Sequence, residues 1–70
     1  MKNKLKVHRA IKDITQEELA NEIGVSRQTI HSIEKAKYVP STVLALRMAR
    51  YFGVAVEEIF SLEDEDLLFD

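Results

Sequence analysis

The sequence predicts an all-α domain of five short helices, the second and third of them forming a helix-turn-helix. Three observations carry this reading. Apolar residues recur at helical spacing in successive segments. The only glycines, Gly24 and Gly53, and the only proline, Pro40, fall between those segments, where helices stop. Between Gln16 and Ile33, a small residue, a glycine and two branched apolar residues stand at the intervals that two crossed helices require.

Taken in order, the first helix is expected over about Lys4 to Lys12. Leu5, His8 or Arg9, and Lys12 would share one face, and Val7 and Ile11 another. The second helix opens at Thr15. Thr15-Gln16-Glu17-Glu18 is a capping box, in which the threonine hydroxyl accepts from the Glu18 amide and the Glu18 carboxylate reaches back. Ile14 is placed to staple onto Leu19, and Leu19, Ala20 and Ile23 form the buried stripe. Gly24 ends this helix in the left-handed conformation that glycine adopts without strain. Ser26 caps the third helix, which runs to about Lys35 with Ile30 and Ile33 inward and Arg27, Gln28, His31 and Ser32 outward. Tyr38-Val39-Pro40 is a loop. Ser41 caps the fourth helix, which Gly53 ends. Its apolar residues Val43, Leu44, Ala45, Leu46, Met48, Ala49 and Phe52 cover much of its circumference, so it is expected to run through the core. A short fifth helix is expected around Glu57 to Phe60.

A chain of 70 residues is one domain, here divided into a body of residues 1–60 and an acidic tail of residues 61–70. The formal net charge of −2 hides an asymmetry. All ten Lys and Arg residues lie within residues 1–56, beside five acids, whereas residues 57–70 carry seven acids and no base. A basic body presents a favourable local field to phosphate whatever the total charge. There is no cysteine, which excludes disulfides and thiolate metal sites and fits a reducing, cytoplasmic setting. No apolar run approaches the ~20 residues of a membrane span. The two histidines, His8 and His31, carry no ligand spacing, so no metal is expected. No cofactor loop or nucleophile–base pair is present, and an enzyme is not expected.

The intervals within the helix-turn-helix have steric reasons. Where two helices cross they need a small residue, which Ala20 supplies. The turn needs a positive φ, which Gly24 supplies. The second helix of the unit needs apolar anchors, Ile30 and Ile33, and what remains on it is polar and faces outward.

The run T-Q-E-E-L-A-N-E-I-G-V-S-R-Q-T-I-H-S-I-E-K-A-K-Y-V-P-S resembles the phage-repressor and Cro-like (XRE) helix-turn-helix family, most closely its short single-domain members. The resemblance spans roughly Lys4 to Phe60. It implies a five-helix, lambda-repressor-like fold and sequence-specific binding of a double-stranded DNA operator by a transcriptional regulator, chiefly a repressor. Carried over by position, Arg27, Gln28 and Ser32 are the implied base readers. Arginine can pair bidentately with guanine and glutamine with adenine in the major groove. Gln16, Thr29, His31, Lys37 and Tyr38 are the implied contacts to the DNA backbone, Gln16 at a helix N-terminus where free amides favour an anion. Arg9 and Glu34 match a structural ion pair tying the first helix to the third.

The resemblance also implies a homodimer on a palindromic operator, with half-sites about 34–36 Å apart. The expected dimer surface is Val54 to Phe69, because Leu67, Leu68 and Phe69 are apolar neighbours in an acidic tail. The same tail offers a second surface for a protein partner, as in relatives that serve as antitoxins. Three positions depart from the family pattern. Ala36 stands where glycine is usual at the end of the third helix, so either the helix runs on or the loop carrying Lys37 and Tyr38 is strained. His8 replaces an apolar residue, and Val56 stands where a serine often caps the fifth helix.

Overall fold

The computed structural model describes residues 1–68. In chain order these form β1 (Lys2–Asn3), α1 (Leu5–Ile11), α2 (Gln16–Ile23), α3 (Arg27–Glu34), α4 (Thr42–Phe52), a 3-10 turn (Val56–Glu58), β2 (Phe60–Ser61) and a second 3-10 turn (Asp64–Leu67).

Hydroxyl caps start three of the four α-helices. The Thr15 hydroxyl accepts from the Glu18 amide at 3.0 Å, and the Thr15 amide donates to Glu18 Oε1 at 3.0 Å, closing the capping box. The Ser26 hydroxyl accepts from the Thr29 amide, and the Ser41 hydroxyl from the Leu44 amide, each at 3.1 Å. All four helices stop in the same way, on a left-handed residue: Asp13 (φ 56°), Gly24 (φ 86°), Ala36 (φ 58°) and Gly53 (φ 70°). The amide after each of these reaches back into the last turn: Ile14 to the Arg9 carbonyl, Val25 to Ala20, Lys37 to Ser32 and Val54 to Ala49, at 2.9–3.2 Å. Space is no obstacle at the glycines, since a Cβ there would meet nothing within 4 Å; the positive φ is what selects glycine.

The core is a single cluster. Leu5, Leu19, Ile30, Ile33, Met48 and Ile59 are its largest fully buried side chains, so each α-helix supplies at least one. The stripe Leu19, Ala20 and Ile23 is buried as its spacing requires, and Ile14 packs against its edge. Within this body α2 packs most extensively on α3, as a helix-turn-helix demands.

Three expectations are corrected. The fifth helix is a single 3-10 turn at Val56–Glu58. Val56 is its first residue rather than its cap; the cap is Ala55, whose amide donates to Glu58 Oε2 at 2.8 Å. The described residues are also not purely helical, because β1 and β2 pair antiparallel with Lys2 opposite Ser61 and Asn3 opposite Phe60. Phe60, expected at the end of a helix, is therefore a strand residue. Finally, α4 is not apolar-buried around its circumference: Leu44, Met48 and Ala49 are buried, but Val43 and Leu46 are 66% and 53% exposed. Val7 and Ile11 of α1 are likewise exposed.

His8 meets its site as a partner rather than as a filler. Its Nε2 donates to the Glu58 carbonyl at 3.2 Å, and its ring lies 5.7 Å from that of Phe52. The acidic segment lies beside the N-terminus, where Glu63 and Asp66 take the Met1 ammonium at 3.1 and 3.0 Å. Leu67 and Leu68 are exposed, and Phe69 lies outside the described residues.

Candidate nucleic-acid interface

Positioning begins with the inner face of α3. Ile30 and Ile33, one helical turn apart, are both buried, which leaves the opposite face to point away from the body. Arg27, Gln28 and His31 are exposed on that face, and Ser32 and Thr29 are half-buried at its borders. Gln28 Nε2 reaches Ser32 Oγ at 3.5 Å. Thr29 is drawn toward the cap, its hydroxyl 2.9 Å from that of Ser26.

Two surface hollows flank α3. One is lined by Gln28, Thr29, Ser32, Lys37 and Tyr38, so the loop after α3 sits beside the expected readers. The other is lined by Arg9, Gln16, Arg27, His31 and Glu34, together with Lys6 and Lys35. The expected site residues thus fall into two groups, with Gln28 lining one hollow and Arg27 the other. Lys6 and Lys35 were missed from sequence. Lys6 lies three residues before Arg9, and Lys35 four after His31, so helical spacing alone points to both.

Arg9 and Glu34 form the expected ion pair. Arg9 Nε donates to Glu34 Oε2 at 2.8 Å and Nη2 to Oε1 at 3.3 Å, while Nη1 donates to the Ile14 carbonyl at 2.9 Å. The Glu34 side chain is only 5% exposed. Burial alone would push its pKa up, but hydrogen bonds from Arg9 and from Gln16 outweigh that and hold the carboxyl below its ordinary value. The same carboxylate raises the Arg9 pKa, so the pair stays charged. Gln16 is part of this network: its Nε2 donates to Glu34 Oε1 at 3.1 Å and lies 3.5 Å from His31 Nδ1. Arg9, Glu34 and Gln16 therefore join α1, α2 and α3 at the entrance to the outer face.

The electrostatics of α3 differ from those of α2. The first turn of α2 carries Glu17 and Glu18, which complement the positive end of the helix dipole. The first turn of α3 has no acid and begins with Arg27. Two positive contributions are left side by side, an arrangement that an anion relieves.

A capped α2–turn–α3 unit with a polar, cationic outer face defines a helix-turn-helix protein. The model of the helix-turn-helix family matches residues 5–59, and this chain belongs to that family, in its phage-repressor-like (XRE) type. It is 58% identical over 66 residues to an uncharacterised HTH-type transcriptional regulator of Methanocaldococcus jannaschii, covering 94% of this chain and all of that one. It is also 34% identical over 59 residues to the cryptic phage CTXphi transcriptional repressor RstR of Vibrio cholerae, covering 84% of this chain and 53% of the repressor. Among solved structures, that of the SOS-response transcriptional repressor LexA from Eubacterium rectale superposes with a TM-score of 0.75 at 32% identity, over 94% of this chain and 68% of that one. No helix among the described residues is long and apolar enough to cross a membrane.

Proposed function

We propose that this chain is a sequence-specific double-stranded DNA-binding regulator, acting as a repressor, with α3 lying in the major groove. Arg27, Gln28 and Ser32 read bases, and Gln16, Thr29, His31, Lys37 and Tyr38 hold the backbone. One observation carries the reading. Arg27 is exposed at the uncompensated positive end of α3 and makes no side-chain hydrogen bond or ion pair among the described residues. Nothing among the described residues uses it, and phosphate and guanine both would.

Selection of bound duplexes from a random pool tests this. Arg27→Ala is expected to weaken binding to the selected duplex by about 1–3 kcal/mol and to relax one base position. Lys37→Ala is expected to weaken selected and random duplexes alike. An equal loss on both duplexes for Arg27→Ala contradicts the assignment.

The regulator acts as a two-fold dimer on a palindrome. We place the second copy on the apolar groove lined by Met1, Val39, Ala45, Leu46, Val56 and Phe60, which takes in only Val56 and Phe60 of the surface expected at Val54 to Phe69 and lies beside exposed Val43 of α4. Charge complementarity supports a second copy as the occupant. Val43, Leu46, Arg47 and Arg50 form one exposed stripe of α4, basic at its far end. On the Met1 side the groove borders Glu63 and Asp66. A two-fold axis through the apolar centre sets each basic flank on the partner's acidic flank.

A further inference from the structure

We propose that Asn3 is a positioning residue for DNA recognition, a strand residue that braces the end of α3 without touching nucleic acid; this rests on the assignment of α3 as the reading helix. Its side-chain amide uses both of its ends. Nδ2 donates to the Ile33 carbonyl at 2.8 Å, thirty residues away, and Oδ1 accepts from the Leu5 amide at 3.2 Å, at the start of α1. Its backbone lies opposite Phe60 in the strand pair, and the next residue, Lys4, donates to the Ile59 carbonyl at 2.7 Å. One half-buried residue therefore links β2, α1 and α3.

The carbonyl that Asn3 takes is no ordinary one. It also accepts from the Ala36 amide at 2.9 Å, the bond that closes the helix at its left-handed stop. Ala36 holds φ at +58°, a conformation unfavourable for a residue with a Cβ. Lys37 and Tyr38 follow directly, and both line the hollow beside Gln28 and Ser32. The bond from Asn3 thus fastens the carbonyl on which a strained turn depends, and that turn carries the loop assigned to the DNA backbone. Asn3 reaches α3 at Ile33, which is on the buried face, so its influence on the outer face passes through the helix.

Asparagine suits this place because it offers a donor and an acceptor on one short planar group. Aspartate keeps the acceptor for Leu5 but has nothing to donate to Ile33, and alanine keeps neither. The test uses the full chain with Asn3→Asp and Asn3→Ala, the second controlling for added charge. Affinity is measured for a duplex selected from a random pool by the unsubstituted protein and for a random duplex of equal length, well below the melting temperature. Both variants are expected to lose about tenfold on the selected duplex, the equivalent of one net hydrogen bond, and a similar factor on the random one, because the loop that the bond steadies is assigned to the DNA backbone. Amide exchange at Ala36 and Lys37 is expected to quicken in both. Unchanged affinity for both duplexes in Asn3→Ala, or unaltered exchange at Ala36 and Lys37, overturns the proposal. If Asn3→Ala does not fold, Asn3→Asp retains the α1 bond and the exchange measurement decides alone. If the unsubstituted chain selects no sequence, the DNA reading fails instead, and exchange still reports on the brace.

Discussion

Ala36 carries a backbone angle that costs an alanine roughly 1–2 kcal/mol, and Gly24 and Gly53 show the cheaper solution at two other helix ends. Part of that strain is recovered on placing glycine there, offset by the greater freedom glycine gives the unfolded chain. Ala36→Gly is therefore expected to stabilise the protein by about 1 kcal/mol, seen as a higher thermal midpoint; a lower one contradicts the left-handed stop. The Arg9–Glu34 pair makes the opposite kind of prediction. Arg9→Ala leaves a nearly buried carboxylate unpaired and is expected to cost about 3 kcal/mol in chemical denaturation. Because the folded pKa of Glu34 is lowered, its contribution is complete above the ordinary glutamate range and is lost as pH falls through the lowered folded value. Denaturation followed from neutral to acid pH checks this: Glu34→Gln should flatten the acid limb, and an unchanged limb would sink the linkage.

Helix starts and stops were legible because they are local. Thr15, Ser26 and Ser41 announce three starts, and Gly24 and Gly53 two stops, each by chemistry spanning a few residues. The stop at Ala36 was legible only as an alternative, since alanine does not signal a positive φ, and the one at Asp13 was not read, although aspartate is among the few non-glycine residues that visit this conformation. The fifth helix failed for a different reason. Its capping position is Ala55, which has no hydroxyl, so one carboxylate from Glu58 holds only a single 3-10 turn, and the chain then extends to pair with β1. Apolar periodicity could not separate the buried from the exposed apolar residues of α4, because both kinds occur around the helix. At this scale α3 offers a test with opposed signs. Ser26→Asp keeps an N-cap acceptor and supplies the negative charge its first turn lacks, so thermal stability should hold or rise by a few tenths of a kcal/mol. The same charge should weaken duplex binding. Melting and duplex titration moving together would argue against α3 as the face presented to phosphate.

At the scale of the molecule, the sum of charges was a poor guide and their distribution a good one. Glu63 and Asp66 of the C-terminal segment sit beside the Met1 ammonium, while the cationic side chains Lys6, Arg27 and Lys35 line one hollow along α3. The apolar groove beside Val43 and Leu46 was not visible in sequence, since it is assembled from the N-terminus, the loop at Val39-Pro40, α4 and β2 together. Leu46→Glu, exposed and therefore tolerable to the fold, is expected to shift the protein to monomer in sedimentation. It should reduce binding to a palindrome more than to a single half-site; an unchanged mass would remove this groove as the dimer surface. The strand pair has one more consequence, for the order of folding. The helix-turn-helix closes through neighbours in the chain, whereas β1 and β2 meet from nearly opposite ends of it. Closing so long a loop is entropically expensive, and two short strands return little for it. The pair should zip last and open first, so that the Lys4 amide exchanges through a local opening while amides around Ile30 wait for global unfolding.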